Sequence, residues 1–208
     1  MRARNSRHTS RIQSKARLKI VNVVATASIN QTINLDQLSD EGGFRYDLAV
    51  YHCAYLKDHL TKGKVSIFAT GKLISIGTKN PRDATSDLKH AVQKLAELGL
   101  AKSIEIRPKI QNIVARLELG FRVDLEVLAK DLRAIYEPGQ FPAVMYWPAR
   151  LNGGVVSIFS SGKVIVSGLK NTGSVRTAEQ VLDEVLLTSR TREGVREAST
   201  EREASARC

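Results

Sequence analysis

The sequence predicts an α+β fold in which two pseudo-symmetric halves share one antiparallel sheet, with helices packed on a single face. Three observations carry this. The stretch SIFATGKLISIGTKN, from Ser66 to Asn80, returns as SIFSSGKVIVSGLKN, from Ser157 to Asn171. Each copy runs through the same order of β-branched and helix-periodic segments. Along the repeated phrase, side chains alternate between one face that helices can cover and one that they leave bare.

The register of the repeat is clear. At an offset of 90, Lys19, Ile20, Asn22, Val24 and Ala25 meet Lys109, Ile110, Asn112, Val114 and Ala115; Leu35, Leu38, Tyr46 and Tyr51 meet Leu125, Leu128, Tyr136 and Phe141. One extra residue in the second copy moves the offset to 91, where Phe68, Gly71, Lys72, Ile74, Gly77 and Lys79 meet Phe159, Gly162, Lys163, Ile165, Gly168 and Lys170. Two copies at this period are too few for a solenoid, so they build one pseudo-twofold body.

Taken in order, the chain opens with a basic arm over residues 1–18. Residues 1–19 carry seven Arg or Lys and no acid, so most of the net charge of +11 sits there. Too few apolar residues are present for it to fold alone, and such an arm is an electrostatic partner for a polyanion; the bland alternative is a transit peptide. The first repeat spans residues 19–107 and the second 108–187. Each starts with a β-branched strand, KIVNVVATASI or KIQNIVARLEL, followed by a short helix capped by Asn34 or Asp124. In the second copy Leu125, Leu128, Leu132 and Ile135 keep helical spacing. Strand segments are expected around Ala49 to Leu56, Lys64 to Ala69 and Lys72 to Thr78, joined by glycine-containing hairpin turns. A longer amphipathic helix closes each copy, with Leu88, Val92, Leu95 and Leu98 on the apolar side of the first, and Val175, Ala178, Val181, Leu182 and Val185 on that of the second. Residues 188–208 form a tail of mixed charge, read as a frayed end.

In the phrase GKLISIG the set Lys72, Ile74, Ile76 points away from Leu73 and Ser75; in GKVIVSG the matching set is Lys163, Ile165, Ser167. An uncovered face carrying Asn, Val, Ile and a rim of Lys must bind something large.

Composition narrows the classes further. The 42% hydrophobic content is ordinary for a folded chain. No apolar run approaches the length of a membrane span. Cys53 and Cys208 form neither a CxxC pair nor a disulfide framework, which points to a reducing compartment. Enzyme chemistry has little footing. ATGK and SSGK lack the first glycine of a phosphate-binding loop and have Leu73 or Val164 where its hydroxyl residue belongs. His8, His52, His59 and His90 keep no metal-ligand spacing, and no acid is duplicated as a paired acid and base.

Taken together, QNIVA, YEPGQFP and SIFSSGKVIVSGLK in the second half, with VNVVA and SIFATGKLISIGTK in the first, resemble the TATA-box-binding proteins, over roughly Leu18 to Leu186. The resemblance implies a saddle: a curved sheet of ten strands, four helices on its convex back, and DNA under its concave seat. It implies a general transcription initiation factor that binds A·T-rich promoter DNA in the minor groove, bends it, uses no cofactor and catalyses no reaction. Apolar side chains wedged between base steps are the means, and this family is the standing example of it.

Residue by residue, the resemblance places Asn22 and Asn112 at the two central Asn positions. An amide donor suits an A·T minor groove, which offers only acceptors. Val24, Val114, Ile74 and Ile165 would line the groove floor, with Ile76 and Ser167 beside them; Ile76 departs from the usual Thr. Phe68, Phe159 and Phe141 match three wedges. Tyr51 stands at the fourth, and its hydroxyl is costly to bury between bases, so a weaker or differently shaped first-half kink is expected. Lys72, Lys79, Lys163, Lys170 and Arg150 are placed as phosphate contacts. The resemblance also implies Glu137 as the partner-binding residue for a transcription factor B-like protein that brings in RNA polymerase, although Gly139 replaces an acid of that loop. The site of action would be the archaeal cytoplasm, at the nucleoid, or a eukaryotic nucleus; a chain little longer than the core points to the former. The alternative is a divergent relative or specialised paralogue that serves as a protein interaction platform with weak or altered DNA binding.

Overall fold

The computed structural model describes residues 17–38, 43–47, 49, 51–102 and 105–186; most of the basic arm and the whole charged tail lie outside them. The first half supplies strands β1 (Lys19–Ser28), β2 (Phe44–Arg45), β3 (Ala54–Leu56), β4 (Lys64–Ile67) and β5 (Lys72–Thr78), then helix α1 (Pro81–Glu97). The second supplies β6 (Lys109–Glu118), α2 (Leu125–Leu132), β7 (Ala143–Tyr146), β8 (Val155–Phe159) and β9 (Lys163–Leu169), then α3 over residues 172–186. Among the described residues, nine strands form one sheet in the order β2-β3-β4-β5-β1-β6-β9-β8-β7. Every neighbouring pair is antiparallel.

Alternation along the strands sorts the side chains into two faces. In β1, Val23, Ala25 and Ala27 are buried, while Asn22, Val24 and Thr26 are only partly covered. The same split separates Leu73 and Ser75 from Ile74 and Ile76 in β5, and Val164 and Val166 from Ile165 and Ser167 in β9. The buried set meets the long helices. Leu88, Val92 and Leu95 of α1 are fully enclosed, as are Ala178, Val181 and Leu182 of α3, and each large apolar side chain so buried contributes about 1.5–3 kcal/mol. Helix α1 starts where Asn80 accepts a hydrogen bond from the Arg82 N–H at 2.8 Å, with Pro81 in its first turn.

Curvature has a local source. Register shifts interrupt the pairing of β1 with β5 between Val23 and Ala25 and that of β6 with β9 between Ile113 and Ala115. Two further shifts flank the centre of the β1·β6 pair. Bulges bend a sheet and increase its twist, so the sheet curves into a saddle around its middle, with the helices on the convex side.

Several expectations are corrected. The segment around Ala49 to Leu56 yields a strand only over Ala54–Leu56; Tyr51 N–H donates instead to the Asp47 carbonyl at 3.0 Å in a turn. Leu98 caps α1 at its C-terminus and is 38% exposed rather than packed. Helix α2 begins on the Asp124 carboxylate, which accepts from the Glu126 and Val127 N–H groups, and stops at Arg133, whose φ of 50° is left-handed. Ile135 therefore leaves the helix and pairs by backbone with Met145 as an isolated bridge. That bridge occupies the place that Arg45 takes opposite Tyr55 in the first half, so the tenth strand implied by the resemblance is reduced to one residue pair. The first short helix is, in its described part, a single 3₁₀ turn at Leu35–Leu38, with Asn34 accepting from the Asp36 N–H. The described helices thus comprise three α-helices and short 3₁₀ turns rather than four full helices.

Candidate nucleic-acid interface

The open face is built outward from its two central strands. Asn22 stands opposite Val114, and Asn112 opposite Val24. The Asn22 side-chain carbonyl accepts the Gly77 N–H at 2.9 Å, and the Asn112 carbonyl accepts the Gly168 N–H at 2.9 Å. A backbone N–H can only donate, so each amide is held with its oxygen toward the sheet and its NH₂ as the outward donor. Gly77 and Gly168 have φ of +91° and +81°, and this left-handed backbone carries their N–H groups at the bulges; side-chain-bearing residues adopt it at a cost. The doubled glycines were visible in the repeat, but their bond to the doubled asparagines was not. Val24 and Val114 face the two amides across the central pair, Ile74, Ile165 and Ser167 lie on the same open face, all half-buried, and Ile76 is 40% exposed.

At each end of this strip the glycine of the repeated phrase makes the turn. A Cβ on Gly71 would lie 2.1 Å from the Gln31 carbonyl oxygen, and one on Gly162 would lie 2.1 Å from that of Phe121. Only a residue without a side chain lets the loop after β1 or β6 run across the hairpin. The turns present Phe68 and Phe159, both partly covered. Phe141 is held in a turn by its N–H to the Glu137 carbonyl at 2.9 Å and meets Phe159 edge to face, 5.8 Å between centroids. The structure therefore joins the two second-half aromatics. Their first-half counterparts are not joined: Tyr51, 55% exposed, leans on Tyr55 at 6.0 Å instead of on Phe68.

Lys72, Lys79 and Lys170 are exposed and Lys163 is half-covered. Lys163 lies over the Phe159 ring at 5.9 Å, and Lys170 donates to the Gln111 carbonyl at 2.6 Å. Arg150 is placed otherwise. Its guanidinium pairs with Glu184 at 2.6 Å and donates to Gln180 at 3.0 Å, both on α3, so it is engaged by the helix layer. Glu137 is exposed and uses its backbone carbonyl to close the turn before Phe141.

One cluster escaped the sequence reading because its members are far apart in the chain. Asp58, in the β3–β4 loop, accepts from His90 at 2.9 Å and Lys94 at 3.1 Å of α1. Burial pushes its carboxyl upward, but these bonds and those from the Thr61 and Leu60 N–H groups outweigh it and hold the pKa well below the usual carboxylate range. Asp87, also on α1, accepts from the Lys62 and Gly63 N–H groups at 2.9 and 2.7 Å. The loop is thereby clasped to the helix layer, away from the open face. Among the described residues no three His, Cys, Asp or Glu side chains gather to hold a metal ion, and no helix is long and apolar enough to cross a membrane.

Comparison with known proteins agrees with this architecture. The sequence model of the family described as transcription factor TFIID (or TATA-binding protein, TBP) matches residues 17–98 and again 107–188. The chain is 35% identical over 178 residues to the TATA-box-binding protein of Archaeoglobus fulgidus, covering 83% of this chain and 96% of that one. It is 31% identical over 168 residues to that of Cenarchaeum symbiosum, covering 79% and 91%. Among solved structures it is similar to Methanococcus jannaschii TBP, with a TM-score of 0.67 at 30% identity, over 81% of this chain and 97% of that chain.

Proposed function

Because the chain belongs to the TATA-binding protein family, we propose that it is a general transcription initiation factor that binds A·T-rich promoter DNA through the minor groove and bends it. The observation that carries the reading is the doubled Asn–Gly bond at the centre of the seat. It sets two amide donors on the open face, each opposite the other half's valine. The floor of an A·T minor groove presents acceptors alone, whereas a G·C pair adds an amino donor that would face the same NH₂ groups. Phe141 and Phe159 suit insertion between base steps, since neither has a polar group to desolvate. The exposed lysines suit phosphates, which position the protein without specifying sequence.

Nothing in this role requires covalent chemistry. Glu137, exposed beside the Phe141 turn, is the proposed contact for a transcription factor B-like partner that brings in RNA polymerase, and the chain acts where chromosomal DNA is transcribed, in an archaeal nucleoid.

Binding and bending of a TATA duplex and a G·C-substituted duplex, at fixed salt, test the reading with wild type and Phe159→Ala. Selective binding of the TATA duplex, with a bend that the substitution diminishes, is expected. Equal, salt-sensitive binding to both would leave only general electrostatic attraction and would refute it.

A further inference from the structure

The two ends of the seat are built from different chemistry. Backbone geometry sets the correspondence: the Tyr51 N–H donates to the Asp47 carbonyl as the Phe141 N–H donates to that of Glu137. Tyr51 and Phe141 are thus the same position in two copies of one turn. Tyr55 pairs with Ser66 where Met145 pairs with Ser157, and Lys64 pairs with Ile76 where Val155 pairs with Ser167.

In the first half these three residues form one connected rack. Tyr51 lies 6.0 Å from Tyr55, and the Lys64 ammonium sits over the Tyr55 ring at 4.2 Å. Lys64 is exposed and Tyr55 half-covered. The rack therefore offers the Tyr51 hydroxyl and the Lys64 cation, both carried on the Tyr55 ring. Phe141, Met145 and Val155 offer no donor at all, and Phe141 turns its ring to Phe159 to make a paired apolar edge.

Resting on the minor-groove reading above, we infer that the Tyr51–Tyr55–Lys64 rack is a DNA-backbone grip in place of the second member of the first-half wedge pair, which leaves Phe68 to act alone, so the protein bends its duplex unequally, with the larger kink at the Phe141–Phe159 end. A ring held against its neighbour under a cation keeps those contacts only by staying out of the base stack. Sliding Tyr51 between bases would also strip water from its hydroxyl, whereas beside a sugar or phosphate oxygen that hydroxyl is a donor in use. The Lys64 ammonium, drawn over the Tyr55 face, is placed for a phosphate oxygen and adds one released counterion on binding. The Tyr55 phenol already faces the neighbouring Cys53 thiol, which raises its pKa, so its ring serves as the platform for Tyr51 and Lys64. The sequence consequence is that a flexible pyrimidine–purine step is needed at one end of the site more than at the other.

The test measures bend by energy transfer between end labels on one A·T-rich duplex, and affinity across a salt series. Phe141→Ala is expected to remove a large part of the bend, and Tyr51→Ala to leave it unchanged. Lys64→Val is expected to leave the bend unchanged and to reduce the slope of log K against log salt by about 0.9. The combined Tyr51→Phe, Tyr55→Met, Lys64→Val variant, which copies the second-half residues onto an exposed surface, should bend DNA more than wild type. Equal loss of bend in Tyr51→Ala and Phe141→Ala, or an unchanged salt slope in Lys64→Val, overturns the grip while leaving the minor-groove reading intact. A wild-type protein that neither prefers nor bends the A·T duplex overturns both. Each variant's thermal unfolding midpoint is taken alongside, and Lys64→Gln supplies a second charge-removing variant.

Discussion

Val23 of β1 stands directly opposite Ile113 of β6, and the two are the same position of the two repeats. An antiparallel pair that joins a residue to its own copy marks the pseudo-twofold axis, so the axis passes between these two buried side chains. Asn22 and Asn112 are their chain neighbours, which is why one asparagine from each half reaches the middle of the seat and why each faces the other half's valine.

Replacing Asn112 with Asp separates the structural from the recognition role of the amide. The carboxylate still accepts the Gly168 N–H, so stability should change by no more than about 0.5 kcal/mol. Affinity for an A·T duplex should fall at least about tenfold, because an acceptor then faces acceptors. Asn112→Leu should instead lose about 1–3 kcal/mol of stability by orphaning the Gly168 N–H. Denaturant melts and duplex titrations read the two effects, and undiminished affinity in the Asp variant would count against amide readout.

Glycine at the hairpin of the repeated phrase should be irreplaceable. Gly162→Ala needs a left-handed backbone with a Cβ 2.1 Å from the Phe121 carbonyl oxygen, and the conformational term alone is about 1–2 kcal/mol. A loss of more than about 2 kcal/mol is expected. Gly139→Ala, with no heavy atom within 4 Å of the added Cβ, is the matched control and should be near neutral in the same chemical denaturation series.

Acid should loosen the β3–β4 loop first. The Asp58 pKa is depressed in the folded protein below its ordinary 3.8, so the unfolded chain binds the proton more readily. The stabilisation is complete above that ordinary value and is lost as pH falls through the depressed one. Asp58→Asn should cost about 1–3 kcal/mol at neutral pH and flatten the acid limb of the stability profile. An acid limb as steep as that of wild type would refute the clasp.

Arg150 and the rim lysines should behave differently on DNA. Since Glu184 and Gln180 already engage Arg150, Arg150→Ala should leave the salt slope of duplex binding unchanged, while Lys72→Ala should reduce it by about 0.9. Stability should barely respond, because both members of the ion pair are substantially exposed.

Deleting residues 1–18 should weaken duplex binding about equally on all sequences, as expected of an arm that supplies charge and no base contact. Competition between TATA and G·C duplexes measures it, and a loss confined to the TATA duplex would refute that role.

The amino-acid sequence by itself determined the repeat, its register and the division of each strand into a covered and an open face. Those properties follow from periodicity, which is written residue by residue: Val23 with Ile113, Asn22 with Asn112, Gly71 with Gly162. Only the tertiary structure decided which partner each of those residues takes. Asn22 and Gly77 are 55 positions apart, Arg150 and Glu184 are 34 apart, and no local pattern states that one amide oxygen is taken by a bulge or that one guanidinium is held by a helix. Tyr51 shows the division most plainly. The repeat placed it opposite Phe141 in register, yet its ring lies against Tyr55, a residue at which the first half departs from its copy, because a ring settles against the neighbours that folding brings to it.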